Sequence, residues 1–254
     1  MKFLNDTFLE WMYGIEDRSQ GEVDDLYNAL VIWKHAQELL RIEDSPLYRA
    51  DCIINLKRAV NVRLKNIEKI YFIKGIPSDI SSKKTLDKFE ELGLIRPNIL
   101  SELIDIRNLI EHEETEPPSK EKCFFYIDII WYFLKTTDSL VDDIIESFVY
   151  ESEDGNNRIV INIGLATPWE ISVSGKMHKQ YFSNSQKINT MELEKEVSFS
   201  GDGYTDLDVS LKLNEYYLKR IATEYFGLCG FWHEDRAKKP PLITAADAGV
   251  STPY

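Results

Sequence analysis

Six consecutive residues, Arg107-Asn108-Leu109-Ile110-Glu111-His112, bring together side chains that can act on a phosphate. Arginine presents a planar fork of donors that fits phosphate oxygens and stabilises charge growing on them. Histidine moves a proton near neutral pH, an effect worth about 10² to 10⁴ in rate. Asn108 lies four residues before His112, so on a helix it occupies nearly the same face and could orient the histidine or a bound group. The same spacing also allows a purely structural reading, in which Arg107 pairs with Glu111 at i,i+4 and His112 sits at a helix C-terminus because the dipole favours it.

These residues need a helix to position them. Pro97 opens one, because a missing N–H costs nothing in a first turn, and Pro117-Pro118 stops it. At about 100° per residue, Ile99, Leu103, Ile106 and Ile110 form one apolar stripe, with Arg107 at its edge and His112 about 140° from Arg107. A second apolar strip, Leu100 and Ile104, falls in the arc between them. A helix with two apolar strips is expected to be buried on two sides. A second copy of the chain on the outer strip would place both polar side chains on a shared groove.

The surrounding pattern is helical. Val23 to Ile42 repeats apolar residues on one face, and Leu47 to Ile73 carries Ile53, Leu56, Val60, Leu64, Ile67 and Ile70 at steps of three and four. Lys57, Arg58, Arg63 and Lys65 interleave with the second set and are expected to form a basic exposed row. A short helix near Thr7 to Tyr13 and another from Thr85 to Leu92, stopped by Gly93, complete the set before Pro97. Ser119 is the expected N-cap of a long closing helix, Phe124 to Tyr150, whose aromatics are assigned to the core.

The short helix ending in Glu91-Leu92-Gly93, then Arg96-Pro97, the Arg-Asn-x3-His helix, Pro117-Pro118-Ser119 and a long closing helix resemble the HEPN domain family. The resemblance covers roughly residues 24 to 150. It implies that Arg107, Asn108 and His112 form a composite site, two copies facing each other across a homodimer cleft. It further implies metal-independent cleavage of RNA by attack of a ribose 2′-hydroxyl on the adjacent phosphate, in a toxin or anti-phage defence role. Lys57, Arg58 and Arg63 would then bind the RNA substrate. One branch of the family places a modified tyrosine two residues after the histidine; this chain has Glu114 there, so control by that route is not expected.

Composition bounds what else is open. With 43 acidic and 30 basic residues, the net charge of −13 opposes non-specific nucleic-acid binding, so any RNA chemistry must rest on a local site. Glu111, Glu113, Glu114 and Glu116 beside His112 favour a protonated imidazole and repel phosphate. Cys52, Cys123 and Cys229 are odd in number and in no CxxC arrangement, and are expected to be reduced, packed thiols. With no DxDxDG loop and no HExxH pair, neither metal nor cofactor is expected. No apolar run reaches membrane-spanning length and no export signal is visible, so a cytoplasmic protein is expected.

Periodicity shifts to two after Glu151-Ser152-Glu153-Asp154-Gly155-Asn156-Asn157, which is expected to be a domain junction. Segments 158–163, 169–173, 179–182, 197–199 and 207–211 are expected strands of a small antiparallel sheet, with a helix from Asn214 to Phe226 packed on it. The chain thus reads as α+β: a HEPN-like helical domain over 1–150, a β-rich accessory domain over 151–236 and a loose tail over 237–254. The β-rich half is a candidate docking surface for a regulatory partner; His178 and the run Phe231 to Arg236 fit surface pairs better than catalysts. The competing reading is a catalytically silent scaffold or ligand-binding module of the same fold. A weaker third reading is an acidic nucleic-acid mimic, though the charge is spread rather than clustered.

Overall fold

A computed structural model describes residues 1–20, 26–77, 85–96, 98, 101–102, 104–106, 108, 116–165 and 169–230. The fold is mixed α/β with an antiparallel sheet. The described residues divide into two compact units: one sheet-based, built from 1–19, 75–77 and 145–230, and one helical, built from 20–74 and 85–144.

The helical unit contains α1 (Leu26–Ile42), α2 (Pro46–Tyr71), α3 (Thr85–Glu91), α4 (Lys120–Thr136) and the short α5 (Ser139–Asp142). Each boundary has a local cause. Ser45 Oγ accepts the Tyr48 N–H and Pro46 sits in the first turn of α2, which ends where Phe72 turns left-handed at φ 44° and gives its N–H to Glu68 O. Gly93 takes φ 74° just past α3, as its lack of a Cβ allows. Ser119 Oγ accepts the Lys122 N–H at 3.3 Å and caps α4, as the sequence predicts. The core is the face Cys52, Ile53, Leu56, Val60 and Ile67 of α2 against Tyr126, Ile127, Ile130 and Leu134 of α4 and the inner face of α1. Burying one such aliphatic side chain contributes about 1.5–3 kcal/mol. Trp33 Nε1 donates to Ile127 O at 2.8 Å, so the indole is satisfied as it packs.

The sheet unit has eight strands: β1 (Phe3–Asn5), β2 (Met12–Gln20), β3 (Asp143–Glu151), β4 (Arg158–Gly164), β5 (Glu170–His178), β6 (Phe182–Ser183), β7 (Thr190–Leu193) and β8 (Tyr204–Lys212). Their order is β2-β3-β4-β5-β8-β7-β1-β6. β3, β4, β5 and β8 pair antiparallel in sequence, in registers such as Phe148↔Ile161 and Val173↔Val209. That order requires curvature. β1 and β2 are seventh and first in the sheet, about 29 Å apart if it were flat at ~4.8 Å per strand. The chain from Asn5 to Met12 can span only about 25 Å even fully extended, and part of it is a 3-10 turn, Asp6–Glu10. The sheet therefore curls. Helix α6 (Glu215–Leu228) closes this unit, with Asn214 as its N-cap and Tyr217, Ile221, Ala222, Tyr225 and Phe226 buried. Tyr217 Oη and Arg220 Nη1 each reach Asp6 Oδ2 at 3.1 Å, tying α6 to the 3-10 turn.

Four sequence expectations are corrected. The segment 7–13 is a 3-10 turn running into β2, so the chain's start belongs to the sheet and not to the helical unit. The closing helix ends at Thr136, where the Thr137 hydroxyl takes up Phe133 O, and 143–151 is β3. Residues 151–157 are a hairpin turn rather than a junction: Ser152 N donates to Asn157 O, Asn157 N returns to Ser152 Oγ, and Asp154 accepts from Ser152 and Asn156. Of the expected strands, 197–199 has no regular structure, 179–181 is a 3-10 turn, and β7 went unpredicted. The expected tail, 237–254, lies outside the described residues.

Candidate functional site

Arg107 and His112 lie outside the described residues, as do Leu100, Leu103 and Ile110. Asn108 is helical and exposed, and backbone at 98, 101–102 and 104–106 is helical in line with the helix expected from Pro97. Ile104 and Ile106, assigned to different apolar strips, are both half-buried.

Two side chains of α4 reach this helical stretch at Glu102. Tyr126 Oη on α4 donates to Glu102 Oε1 at 2.7 Å, and Lys122 Nζ reaches the same oxygen at 2.9 Å while lying 5.7 Å from the Tyr126 ring centroid. The Tyr126 and Lys122 bonds hold the Glu102 carboxyl below its ordinary pKa. Burial, and then the Glu102 acceptor, push the Tyr126 phenol up to about 12. Sequence reasoning placed Tyr126 in the core and gave Glu102 no role; an aromatic hydroxyl in a core helix, which needs a partner when buried, was the available signal.

The basic row on α2 separates into two groups. Arg58 and Lys65 are exposed and Lys57 is half-buried. Arg63 does not face solvent: it is 1% exposed, its Nη2 donates to Asp138 Oδ1 at 2.8 Å, and Nη1 has no hydrogen-bond partner among the described residues. The reason was present in the spacing. Arg63 stands three residues after Val60 and four before Ile67, on the apolar stripe, whereas Arg58 and Lys65 fall roughly 150° from it. As an element of substrate binding Arg63 is corrected to a buried structural charge that holds the corner between α4 and α5.

The mouth of α4 carries a cleft of about 450 Å³ lined by Asp44, Arg49, Glu116, Pro117, Ser119, Lys120 and Glu121. Arg49 Nη1 is 2.8 Å from Asp44 and its Nη2 3.9 Å from Glu116, so its charge is already answered by carboxylates. Cys123, whose Sγ donates to Pro118 O at 3.7 Å beside this cleft, and Cys52 on α2 are both fully buried. Among the described residues no group of three or more His, Cys, Asp or Glu side chains could hold a metal ion, and no helix is long and apolar enough to cross a membrane.

In the sheet unit, His178 is half-buried with its ring 5.0 Å from that of Tyr204, and its Nδ1 accepts the Gln180 N–H at 3.4 Å. Its backbone N–H donates to Asn157 Oδ1 at 2.9 Å, so it serves the β4–β5 end of the sheet. The run Phe231 to Arg236 lies outside the described residues. No protein-family model matches this chain, and neither a curated protein nor a solved structure is similar to it.

Proposed function

We propose that the protein is a metal-independent endoribonuclease of the HEPN type, acting as a homodimer in a toxin or anti-phage defence role. The observation that carries this reading is the Arg107-Asn108-x3-His112 sequence on a stretch with helical backbone at 104–106 and 108, within a helical unit. In the proposed step, His112 takes the proton of a ribose 2′-hydroxyl, the freed oxygen attacks the adjacent phosphorus, and the bond to the 5′-oxygen breaks. Arg107 holds the phosphate oxygens as their charge grows. The 5′-oxygen leaves with a proton from the solvent or the partner copy's histidine. Asn108, exposed on the same helix, orients the substrate. Arg58 and Lys57 contribute phosphate contacts from α2.

A second reading, a catalytically silent scaffold of the same fold, is favoured by one observation: the loss of Arg63 from the basic row leaves fewer cations to offset the glutamates around His112. Incubating purified protein with total RNA and a chelator separates the two. Cleavage is expected, with Arg107→Ala and His112→Ala each reducing it by about 10² or more without altering thermal melting. Intact RNA with the wild-type protein would favour the scaffold, and full cleavage by both variants would remove the site assignment.

A further inference from the structure

Helix α2 carries six basic and two acidic residues in a chain of net charge −13. Three of the six fall on one line. Relative to Arg58, Lys65 lies about 20° to one side and Lys69 about 20° to the other, roughly 10 and 16 Å further along the axis. All three are exposed. Lys57 stands half-buried beside the line, and Arg63 is in the core. Between Arg58 and Lys69 the line has no carboxylate: Asp51 precedes it by two turns, and Glu68 points about 80° away, its Oε1 accepting the Lys74 N–H at 3.3 Å. Among the described residues the side chains of Arg58, Lys65 and Lys69 have no ion pair. Arg41, Arg49, Lys122 and Lys135 of the same unit pair with Glu38, Asp44, Glu102 and Asp138. Lys65 and Lys69 are moreover a like-charge i,i+4 pair, which disfavours the free helix. An unanswered row of this kind is complementary to a polyanion. Three cations spread over about 16 Å cannot converge on one phosphate, but each can meet a separate phosphate of an extended strand. The line offers no aromatic side chain between Arg58 and Lys69 on which a base could stack, so contact is to the backbone alone.

We propose that Arg58, Lys65 and Lys69 form a track along α2 that holds a single strand of RNA by its phosphates, without regard to sequence. The choice of RNA as the polyanion rests on the ribonuclease reading; the track itself does not. Arg58 presents a fork to two phosphate oxygens, and the lysines act as point charges further along the strand. Lys65 and Lys69 thus supply contacts that the buried Arg63 cannot.

The test uses the full chain and a labelled 2′-O-methyl RNA strand of mixed sequence, which keeps the phosphates but has no free 2′-hydroxyl to attack. Binding is read by fluorescence anisotropy between about 50 and 200 mM salt. The triple variant Arg58→Gln, Lys65→Gln, Lys69→Gln should bind about tenfold or more weakly at the lower salt. Its slope of log affinity against log salt should fall by about 2, three contacts at about 0.7 each. Glutamine favours a helix nearly as well as the residues it replaces, so circular dichroism should be unchanged. Should the triple variant lose its helical signal, the single variants decide, each lowering the slope by about 0.7. A matched variant, Lys34→Gln, Lys187→Gln, Lys195→Gln, removes the same charge from exposed positions off the line and should keep the wild-type slope. The track is overturned if the wild type does not bind at the lower salt, if the triple variant keeps the wild-type slope, or if both triple variants weaken binding equally. Tighter binding of poly-glutamate than of RNA through the same three side chains would give the surface to an acidic protein and overturn it too. Cleavage of total RNA is scored separately. A wild type that binds through the track but leaves total RNA intact supports the track and removes the ribonuclease reading. Cleavage by a protein whose binding ignores the triple variant removes the track alone.

Discussion

Arg58 and Arg63 are five positions apart on one helix and do different physical work. Arg63 is held in the core by Asp138, so truncating it removes the buried partner of that carboxylate, leaves it the half-exposed Lys135 at 2.9 Å, and opens a void beside Val60 and Ile67. Arg63→Ala should cost about 3 kcal/mol in urea unfolding, whereas Arg58→Ala should stay within about 0.5 kcal/mol. If Arg58 contacts RNA phosphate, its loss should also lower the salt dependence of RNA binding by about one counterion. Tyr126 and Glu102 give a titration with a defined sign. Tyr126's pKa is raised from 10 to about 12, so its contribution is complete below pH 10 and lost as pH rises towards 12. Glu102's is lowered from 4.5, so its contribution is present above 4.5 and lost as pH falls through the depressed value. Tyrosinate absorbance, wild type minus Tyr126→Phe, should therefore titrate near pH 12; a midpoint near 10 would show that Tyr126 is neither buried nor bonded to Glu102 in solution.

Among the elements, β5 pairs with β4 at Gly175, opposite Ile159, with φ 124°. A Cβ there would stand 2.3 Å from Arg158 O in the paired strand, so both the backbone region and the space demand glycine. Gly175→Ala should destabilise the sheet unit by on the order of 3 kcal/mol or more, read as a lower urea midpoint with the helical signal retained. A wild-type midpoint would mean that the β4–β5 pairing is not as described. The cap of α4 is a milder case. Ser119→Ala should cost about 1 kcal/mol, and it should also loosen the turn that presents Pro118 O to Cys123.

For the whole molecule, the helical unit interrupts the sheet unit in sequence, since β2 and β3 are neighbours in the strand order while 21–142 lie between them along the chain. A fragment ending near Tyr150, which the periodicity change at 151–157 recommends, is cut in the middle of that sheet: β3 would lack β4 and expose an apolar edge strand. It should aggregate. A fragment spanning 20–144 should instead be soluble and helical by circular dichroism, as expected of an inserted domain with its own core. If the 1–150 fragment proves monodisperse and cooperative while 20–144 does not fold, this division of the chain is wrong.

Sequence alone determined what local chemistry dictates. The faces of α1 and α2, the Ser119 cap, the stop at Gly93, the strands β4 and β8 and the Asn214-capped α6 were all legible, because periodicity, caps and turn residues act within a few positions. The motif at Arg107 to His112 was likewise legible as residue types and spacing. Tertiary structure decided the rest. Residues 143–150 are apolar enough for either helix or strand, and only pairing with β4 selects the strand. The sheet membership of β1 and β2 depends on partners about 180 and 130 residues away in sequence, which no local window contains. The place of Arg63 on the apolar stripe can be read from the spacing, but its partner Asp138, 75 residues further on, cannot. Cys52 and Cys123 read as unrelated thiols until the packing of α2 on α4 buries both in the core of the helical unit. In each case a long-range contact, free in sequence and fixed only by packing, made the choice.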